Sequence, residues 1–370
     1  MRREFYSATV RPVDALSFIT YRCTSRCATC NIWQRSKMDG NVQNKELSLE
    51  QWGRVPLKLK DAGIESLEIF GGDALLRKDV VHQVLEECKQ QHIETYMPTN
   101  CNLLDRQTAD MLVKSGLGTI YFSIDGLDEI QNKIRGRSGT YERTTDAINN
   151  IVRAKEALHS ECPKMIFLPT ISNLNFHQIE ALLDEFETYP IDAVYLRALG
   201  EMTPQDAASS TVMGVKATPY FVTTTEETHL FSVEQYKKLR EKLNRCQKGK
   251  HSRPYYLSTK HIWHLPEKTF TRGVFPKHKC HVCTTLVTLA PNGDVSPCPF
   301  FTDYVLGNIE EEKLLDIWNN IKHKRFLKKQ RRGELAICRK CSMRFFYPGT
   351  IEFLHQTFAP KLFELLSRPD

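Results

Sequence analysis

Cys23, Cys27 and Cys30 sit in the stretch YRCTSRCATCNIW with the spacing C-x3-C-x2-C. Three thiols in one loop are one ligand short of the closed tetrahedron of a structural zinc site. The nearest histidine, His82, is far along the chain. A cubane [4Fe–4S] cluster takes one thiolate per iron, so three cysteines leave one iron with an open coordination site. A small chelating molecule can bind there and receive an electron. The plain alternative is an incomplete zinc site.

Five more cysteines gather near the C-terminus. Cys280 and Cys283 form a C-x2-C pair, Cys298 follows Gly293, and Cys338 and Cys341 form a second C-x2-C pair. Four thiolates among these five can hold a second iron–sulfur cluster, or the two pairs can form a zinc ribbon, because both metals accept four thiolates. The isolated Cys88, Cys101, Cys162 and Cys246 read mostly as small buried hydrophobes.

These groups need a scaffold. The 370 residues suffice for about two domains, and 41% hydrophobic residues suffice for a real core. A net charge of +7, spread along the chain, gives no argument for a nucleic-acid partner. No window is long and apolar enough for a membrane span. The N-terminal MRREFYSATVRPVD lacks the apolar run of a signal peptide. Twelve cysteines without that signal imply a reducing, cytoplasmic compartment, where clustered thiols serve metal or redox chemistry.

Strands and helices alternate over the first 200 residues. Strands are expected at 14–21, 65–70, 92–99, 118–124, 164–170 and 191–197. Helices are expected at 48–62, 77–91, 105–115, 140–158 and 175–187, with Pro56 kinking or restarting the first. Such alternation predicts parallel strands with helices packed outside, and six units suit an open partial (β/α)6 barrel. Residues 200–226 read as loop and 232–245 as a basic helix, so 201–278 is expected to be a linker or insertion. From 279 a small cysteine-rich module of β-hairpin and helix follows: TTLVTLA, the PNGD turn, VSP, and a helix at 311–328.

The landmarks of the first 200 residues, taken together, resemble the radical SAM superfamily. The resemblance covers most of 13–200. Cys23, Cys27 and Cys30 match its cluster loop. Gly71-Gly72-Asp73 resembles the Gly-Gly-Glu whose backbone and carboxylate hold the amino group of S-adenosylmethionine. Asn100 ends the third strand. Ser123-Ile-Asp125-Gly resembles the family's Ser-(Leu/Ile)-Asp-Gly, whose serine helps bind the methionine carboxylate. Arg135-Gly136 and the segment Gly139–Arg143 resemble the stretch that supplies a basic partner to that carboxylate. Leu196, on the sixth strand, is expected beside the adenine. All lie at C-terminal strand ends, where parallel α/β proteins place ligands. This chain departs from the pattern at three points: Thr29 stands where an aromatic residue is common, Asp73 is one methylene short, and the usual TNG is TNC with Cys101. Taken singly, the glycine pair is also a tight-turn signal, and Ser123 and Asp125 are turn or cap residues.

The C-terminal module resembles the twitch half of the SPASM extension of that superfamily. The resemblance implies one auxiliary [4Fe–4S] cluster on Cys283, Cys298, Cys338 and Cys341, with Cys280 replacing one of them or standing as a spare or catalytic thiol. It further implies an enzyme that reductively cleaves S-adenosylmethionine to a 5′-deoxyadenosyl radical, which abstracts a hydrogen atom from a substrate. An external one-electron donor such as flavodoxin or ferredoxin is the expected partner. Many peptide-modifying members carry a leader-binding domain before the cluster loop, and only 22 residues precede Cys23 here. That favours a small-molecule substrate of the sugar, aminocyclitol or tetrapyrrole class, undergoing oxidation or rearrangement. The alternatives are maturation of a ribosomal peptide by cross-linking or epimerisation, and a non-catalytic zinc or iron–sulfur module. The basic, aromatic stretch 237–264 can meet an anionic substrate or be simply a solvated helix and loop.

Overall fold

The computed structural model describes residues 11–38, 46–223, 228–258, 262–276 and 280–343. The N-terminal residues 1–10, residues 259–261 of the basic, aromatic stretch, and the C-terminal tail from 344 lie outside the described residues.

Six parallel strands follow the expected order: β1 (Asp14–Phe18), β2 (Ser66–Phe70), β3 (Glu94–Thr99), β4 (Thr119–Phe122), β5 (Lys164–Phe167) and, after the short β6 (Thr170–Ile171), β7 (Ala193–Tyr195). β6 pairs in parallel with β8 (Arg197–Ala198) beyond the ends of β5 and β7. Helices return the chain between strands, giving the expected α/β partial barrel. Alternate strand residues such as Leu67, Ile69, Met97, Ile120, Phe122 and Phe167 are fully buried and merge with the helices' apolar faces in one core. Burial of each such side chain stabilises the fold by about 1.5–3 kcal/mol. The intervening Glu68, Phe70, Tyr96, Tyr121 and Tyr195 are only partly buried and share the other face, the barrel lumen.

The helix Leu49–Asp61 runs unbroken through Pro56. A capping box of Ser48 and Gln51 starts it, and Trp52, Val55, Pro56 and Leu59 are buried along its length. The cap and that packing outweigh the missing proline N–H, so the helix does not restart at Pro56.

The segment 201–278 is more structured than its composition suggested. It contains the helix Pro204–Ser209, a two-residue-per-strand ribbon of β9 (Thr211–Val212) and β10 (Val215–Lys216), and the helix Val233–Lys248. It also contains β11 (Tyr256–Ser258), which extends the sheet in parallel beside β7. The C-terminal hairpin of β12 (Leu286–Leu289) and β13 (Asp294–Ser296), followed by β14 (Gly307–Asn308), joins the opposite edge. β12 pairs in parallel with β1, Asp14 against Leu286. One ten-stranded sheet thus runs through both cysteine-bearing segments. The helix expected at 311–328 is two, Leu314–Trp318 and Ile321–Arg331, because Asn320 caps the second through His323 N–H.

Glu180 clamps the helix Val233–Lys248 to the barrel, accepting from Lys242 at 2.7 Å and Arg245 at 2.6 Å. The Arg245 and Lys242 hydrogen bonds hold its carboxyl down at about 2, against an ordinary 4.5. The clamp's stabilisation is therefore complete above pH 4.5 and is lost as pH falls toward 2. Glu180→Gln should flatten that limb of an acid-denaturation curve followed by circular dichroism; an unchanged limb would show that solvent already screens the clamp.

Candidate active site

The cluster loop leaves β1 and is held on two sides. From β2, Gly72 N–H donates to Thr20 O and Asp73 N–H to Arg22 O, both at 2.8 Å. A Cβ on Gly71 would stand 2.6 Å from Thr20 O, and one on Gly72 would overlap the Arg22 carbonyl. The glycine pair is therefore what lets two backbones touch. Gly72→Ala should cost about 1–3 kcal/mol and lower the iron retained on reconstitution; chemical denaturation and iron analysis check it. From the helix Asp128–Arg135, Arg135 O accepts from Arg26 N–H at 3.0 Å and Ile134 O from Ala28 N–H at 2.8 Å.

A polar network lies against Cys23. Thr24 Oγ1 donates to Asp73 Oδ2 at 2.5 Å. Asn100 Nδ2 reaches Asp73 Oδ2 and Thr24 Oγ1, each at 3.2 Å, and Cys23 Sγ at 3.7 Å. Asn102 Nδ2 donates to Thr24 Oγ1 and Ser25 Oγ, while its Oδ1 accepts from Arg143 Nε at 3.1 Å. Asp73, Asn100 and Arg143 thus converge on the cluster loop. Burial raises the Asp73 carboxyl, and the Thr24 and Asn100 hydrogen bonds oppose that. Burial also pushes the Cys23 thiol up to about 12 and raises Cys30. Such thiols become thiolates only beside a compensating cation.

Asp125 and Arg135, both expected at the cofactor site, are paired with each other. Arg135 Nη2 pairs with Asp125 Oδ2 at 2.7 Å, and Asp125 Oδ1 accepts from Thr170 N–H. The pair is buried, and Arg135 Nη1 also lies 3.8 Å from Cys27 Sγ. Burial pulls the guanidinium down, but Asp125 and Cys27 more than offset it, leaving it raised. These two residues tie β6 and the cluster loop to one helix end. Leu196 is 1% exposed and belongs to the core, while its neighbours Tyr195 and Arg197 are partly exposed. Ser123 sits at the end of β4, its N–H on Thr99 O, and its hydroxyl makes no hydrogen bond among the described residues. Cys101 has φ 68°, the left-handed conformation that glycine adopts without strain.

A small cleft opens beside the cluster loop at Ala28 and Thr29 and runs to Glu201, Phe221 and His229. Two buried polar atoms around it, Thr223 Oγ1 and His229 Nδ1, have no partner among the described residues. In the lumen the Tyr121 phenol is raised by burial, and it feels Glu68 from β2 and Arg197 from β8. Tyr96 stacks on Tyr121 with ring centroids 6.4 Å apart.

All five C-terminal cysteines converge. Cys283 feels Cys280 most strongly, then Cys298 and Cys338; Cys298 feels Cys341, Cys280 and Cys338. Cys280 is therefore not set apart. His323 Nε2 contacts Cys283 O at 2.9 Å, and Ile337 N–H donates to Ser210 Oγ at 3.0 Å. Among the described residues no three His, Cys, Asp or Glu side chains, in either thiol group, are placed to hold a single metal ion. Of the isolated cysteines, Cys88, Cys101 and Cys246 are buried and Cys162 is exposed. Among the described residues no helix is long and apolar enough to cross a membrane.

Thr24, Asn102, Glu68, Arg197 and Tyr220 were not singled out from the sequence. The first two flank motif residues and were within reach of it. The others show their role only through packing.

Known proteins match in the same places. The Radical SAM superfamily model matches residues 17–186, and the SPASM iron–sulfur cluster-binding domain model matches 280–342. The GTP 3′,8-cyclase of Vibrio parahaemolyticus is 29% identical over 206 residues, 54% of this chain and 57% of that protein. The Fe-coproporphyrin III synthase of Methanosarcina barkeri is 25% identical over 216 residues, 52% of this chain and 51% of that protein. The chain thus spans about half the length of these relatives. The structure of anSMEcpe with AdoMet and the Cp18Cys peptide superposes with TM-score 0.62 at 14% identity, covering 96% of this chain and 98% of that one; this is a likeness of fold. [4Fe–4S] clusters and S-adenosylmethionine are the cofactors of the two matched domains. The chain belongs to the radical SAM superfamily and carries a C-terminal SPASM iron–sulfur cluster-binding domain.

Proposed function

We propose that this chain cleaves S-adenosylmethionine and takes a hydrogen atom from a polar small molecule held in the barrel lumen. The observation that carries the reading is the three-thiol loop with its Thr24–Asp73–Asn100 network at the strand ends. The residues fit the groups. Cys23, Cys27 and Cys30 supply three thiolates and leave one iron open. Asp73 offers a buried carboxylate to an ammonium. The free hydroxyl of Ser123 and the guanidinium of Arg143 suit a carboxylate. When bound and reduced, the cluster and S-adenosylmethionine together supply a 5′-deoxyadenosyl radical that abstracts hydrogen.

The chain's own residues do the rest. Gly71 and Gly72 press the cluster loop onto β2. The Asp125–Arg135 pair fixes its far side. The aromatic lumen wall of Phe18, Phe70 and Tyr220 excludes water from the reacting centre. Glu68, Tyr121 and Arg197 offer a substrate both charge signs and a phenol, which suits a small molecule carrying cationic and anionic groups. An external one-electron donor supplies the electron. Domain limits of 1–200, 201–278 and 279–370 remain the proposed functional division, with the sheet continuous across it.

A second reading, maturation of a ribosomal peptide, is favoured by the nearly end-to-end match with the peptide-bound anSMEcpe chain. Anaerobic reconstitution with iron and sulfide, then dithionite and S-adenosylmethionine, tests the reading. 5′-Deoxyadenosine should form, and deuterium from the true substrate should appear in it. Zinc at one or two per chain with S-adenosylmethionine left intact would overturn it and leave a metal-binding module.

A further inference from the structure

Residues 218–222 lie between the two groups of thiols. On one side Asn31, the residue after Cys30, donates its N–H to Tyr220 O at 3.0 Å. Its Oδ1 accepts from Val222 N–H at 3.3 Å. On the other side Thr218 N–H donates to Phe300 O at 2.7 Å, and Phe300 follows Cys298 by two residues. Covalent bonds and two hydrogen bonds therefore connect the thiol groups without a break. The route runs from Cys30 through Asn31, Tyr220, Pro219, Thr218, Phe300 and Pro299 to Cys298.

A ring route runs beside it. The Tyr220 ring stands 5.1 Å from that of Phe300 at 68°, and Phe221 stands 5.7 Å from Phe300. Phe18 and Phe70 pack on Tyr220 from β1 and β2, at 6.0 and 5.8 Å. Tyr220 is 3% exposed. After burial and Glu68, the groups acting on its phenol are Cys30 from the first thiol group and Cys298 and Cys341 from the second. A buried, caged ring is thus in electrostatic reach of both sites. Electron tunnelling decays more slowly along bonds and packed rings than across gaps.

We infer that the ring contact of Tyr220 with Phe300, held in place by the hydrogen-bonded Thr218–Val222 backbone, is the electronic link between the two iron–sulfur sites. The inference rests on the reading that both thiol groups hold clusters. The step is the passage of one electron: one site is oxidised by one, the other reduced by one. No bond forms or breaks, no proton moves, and Tyr220 is not itself oxidised. The electron originates in the external reductant.

The test uses the full reconstituted chain and needs no turnover. One equivalent of dithionite is added, and rapid freeze-quench EPR follows the redistribution of the electron between the two cluster signals. At equal iron content, Tyr220→Leu should lose the fast phase of redistribution and Tyr220→Phe should keep it. Pulsed EPR should find the same inter-cluster distance in both variants, so a shifted structure is separated from lost coupling. An unchanged fast phase in Tyr220→Leu overturns the link. Should Tyr220→Leu fail to load iron, Phe300→Leu interrupts the ring route while keeping the Thr218 hydrogen bond, and the same loss is expected. A single cluster signal in the unaltered chain would instead overturn the two-cluster reading itself.

Discussion

Replacing Cys23, Cys27 and Cys30 together by alanine should abolish 5′-deoxyadenosine formation and lower bound iron from about eight to about four per chain. The three thiols are the ligands offered by the loop after β1, and the buried Cys88 and Cys101 make poor substitutes. Burial pushes Cys101 up to about 12, and its Sγ faces Thr99 O. The five C-terminal thiols are held separately, by His323 on Cys283 O and by Ser210 on Ile337 N–H. Their iron should survive the change. Iron and sulfide analysis with chromatography of the quenched reaction reads both effects. Loss of all iron in the triple variant would mean that the two sites assemble as one unit. Cys280→Ala, in turn, should keep about eight irons, because four thiolates remain for the auxiliary site. Loss of about four would make Cys280 a ligand.

Arg135→Met should destabilise the chain by about 3–5 kcal/mol, because it strands a buried carboxylate. Asp125 keeps 4% of its side-chain surface exposed and Arg135 12%, so water screens the pair little. Both also carry structure: Asp125 accepts from Thr170 N–H, and the Arg135 carbonyl receives Arg26 N–H. The double variant Asp125→Asn with Arg135→Met removes both charges and should recover part of the loss, the difference giving the coupling of the pair. Urea unfolding of the four proteins of this cycle measures it. A single variant as stable as the unaltered chain would show that water reaches Asp125. Because Arg135 also approaches Cys27 Sγ at 3.8 Å, the single variant should load iron into the first site less completely. A partner that holds a metal ligand in this way is typically worth about 10–100-fold in metal affinity.

The six barrel strands and their helices were legible because period-2 and helical apolar patterns are local signals, and each crossover brings the next strand beside the last. Shorter pieces were not. β11 has three residues, and β9 and β10 have two each, too few for any period to show. The long helix expected at 311–328 failed for a local reason that was present in the sequence: Asn320 is a cap, and a cap starts a new helix. The restart expected at Pro56 failed the other way, since burial along one helix face outweighed a local preference.

By itself the sequence determined the chemistry of the two thiol groups and the strand ends on which it stands. Cysteine spacing, the glycine pair and the Ser-Ile-Asp-Gly run are features of contiguous residues, and contiguous residues stay together whatever the rest of the chain does. The tertiary structure alone decided the partners. It gave Arg135 to Asp125 and Cys27, buried Leu196 in the core, and set the five C-terminal thiols together without singling out Cys280. It also paired β12 with β1 and drew Tyr220, from a stretch rich in Thr, Ser and Pro, between the two thiol groups. Each of these contacts joins residues far apart in the chain. Which of them form depends on how buried surfaces pack and which buried polar groups find partners, and no spacing along the chain encodes that.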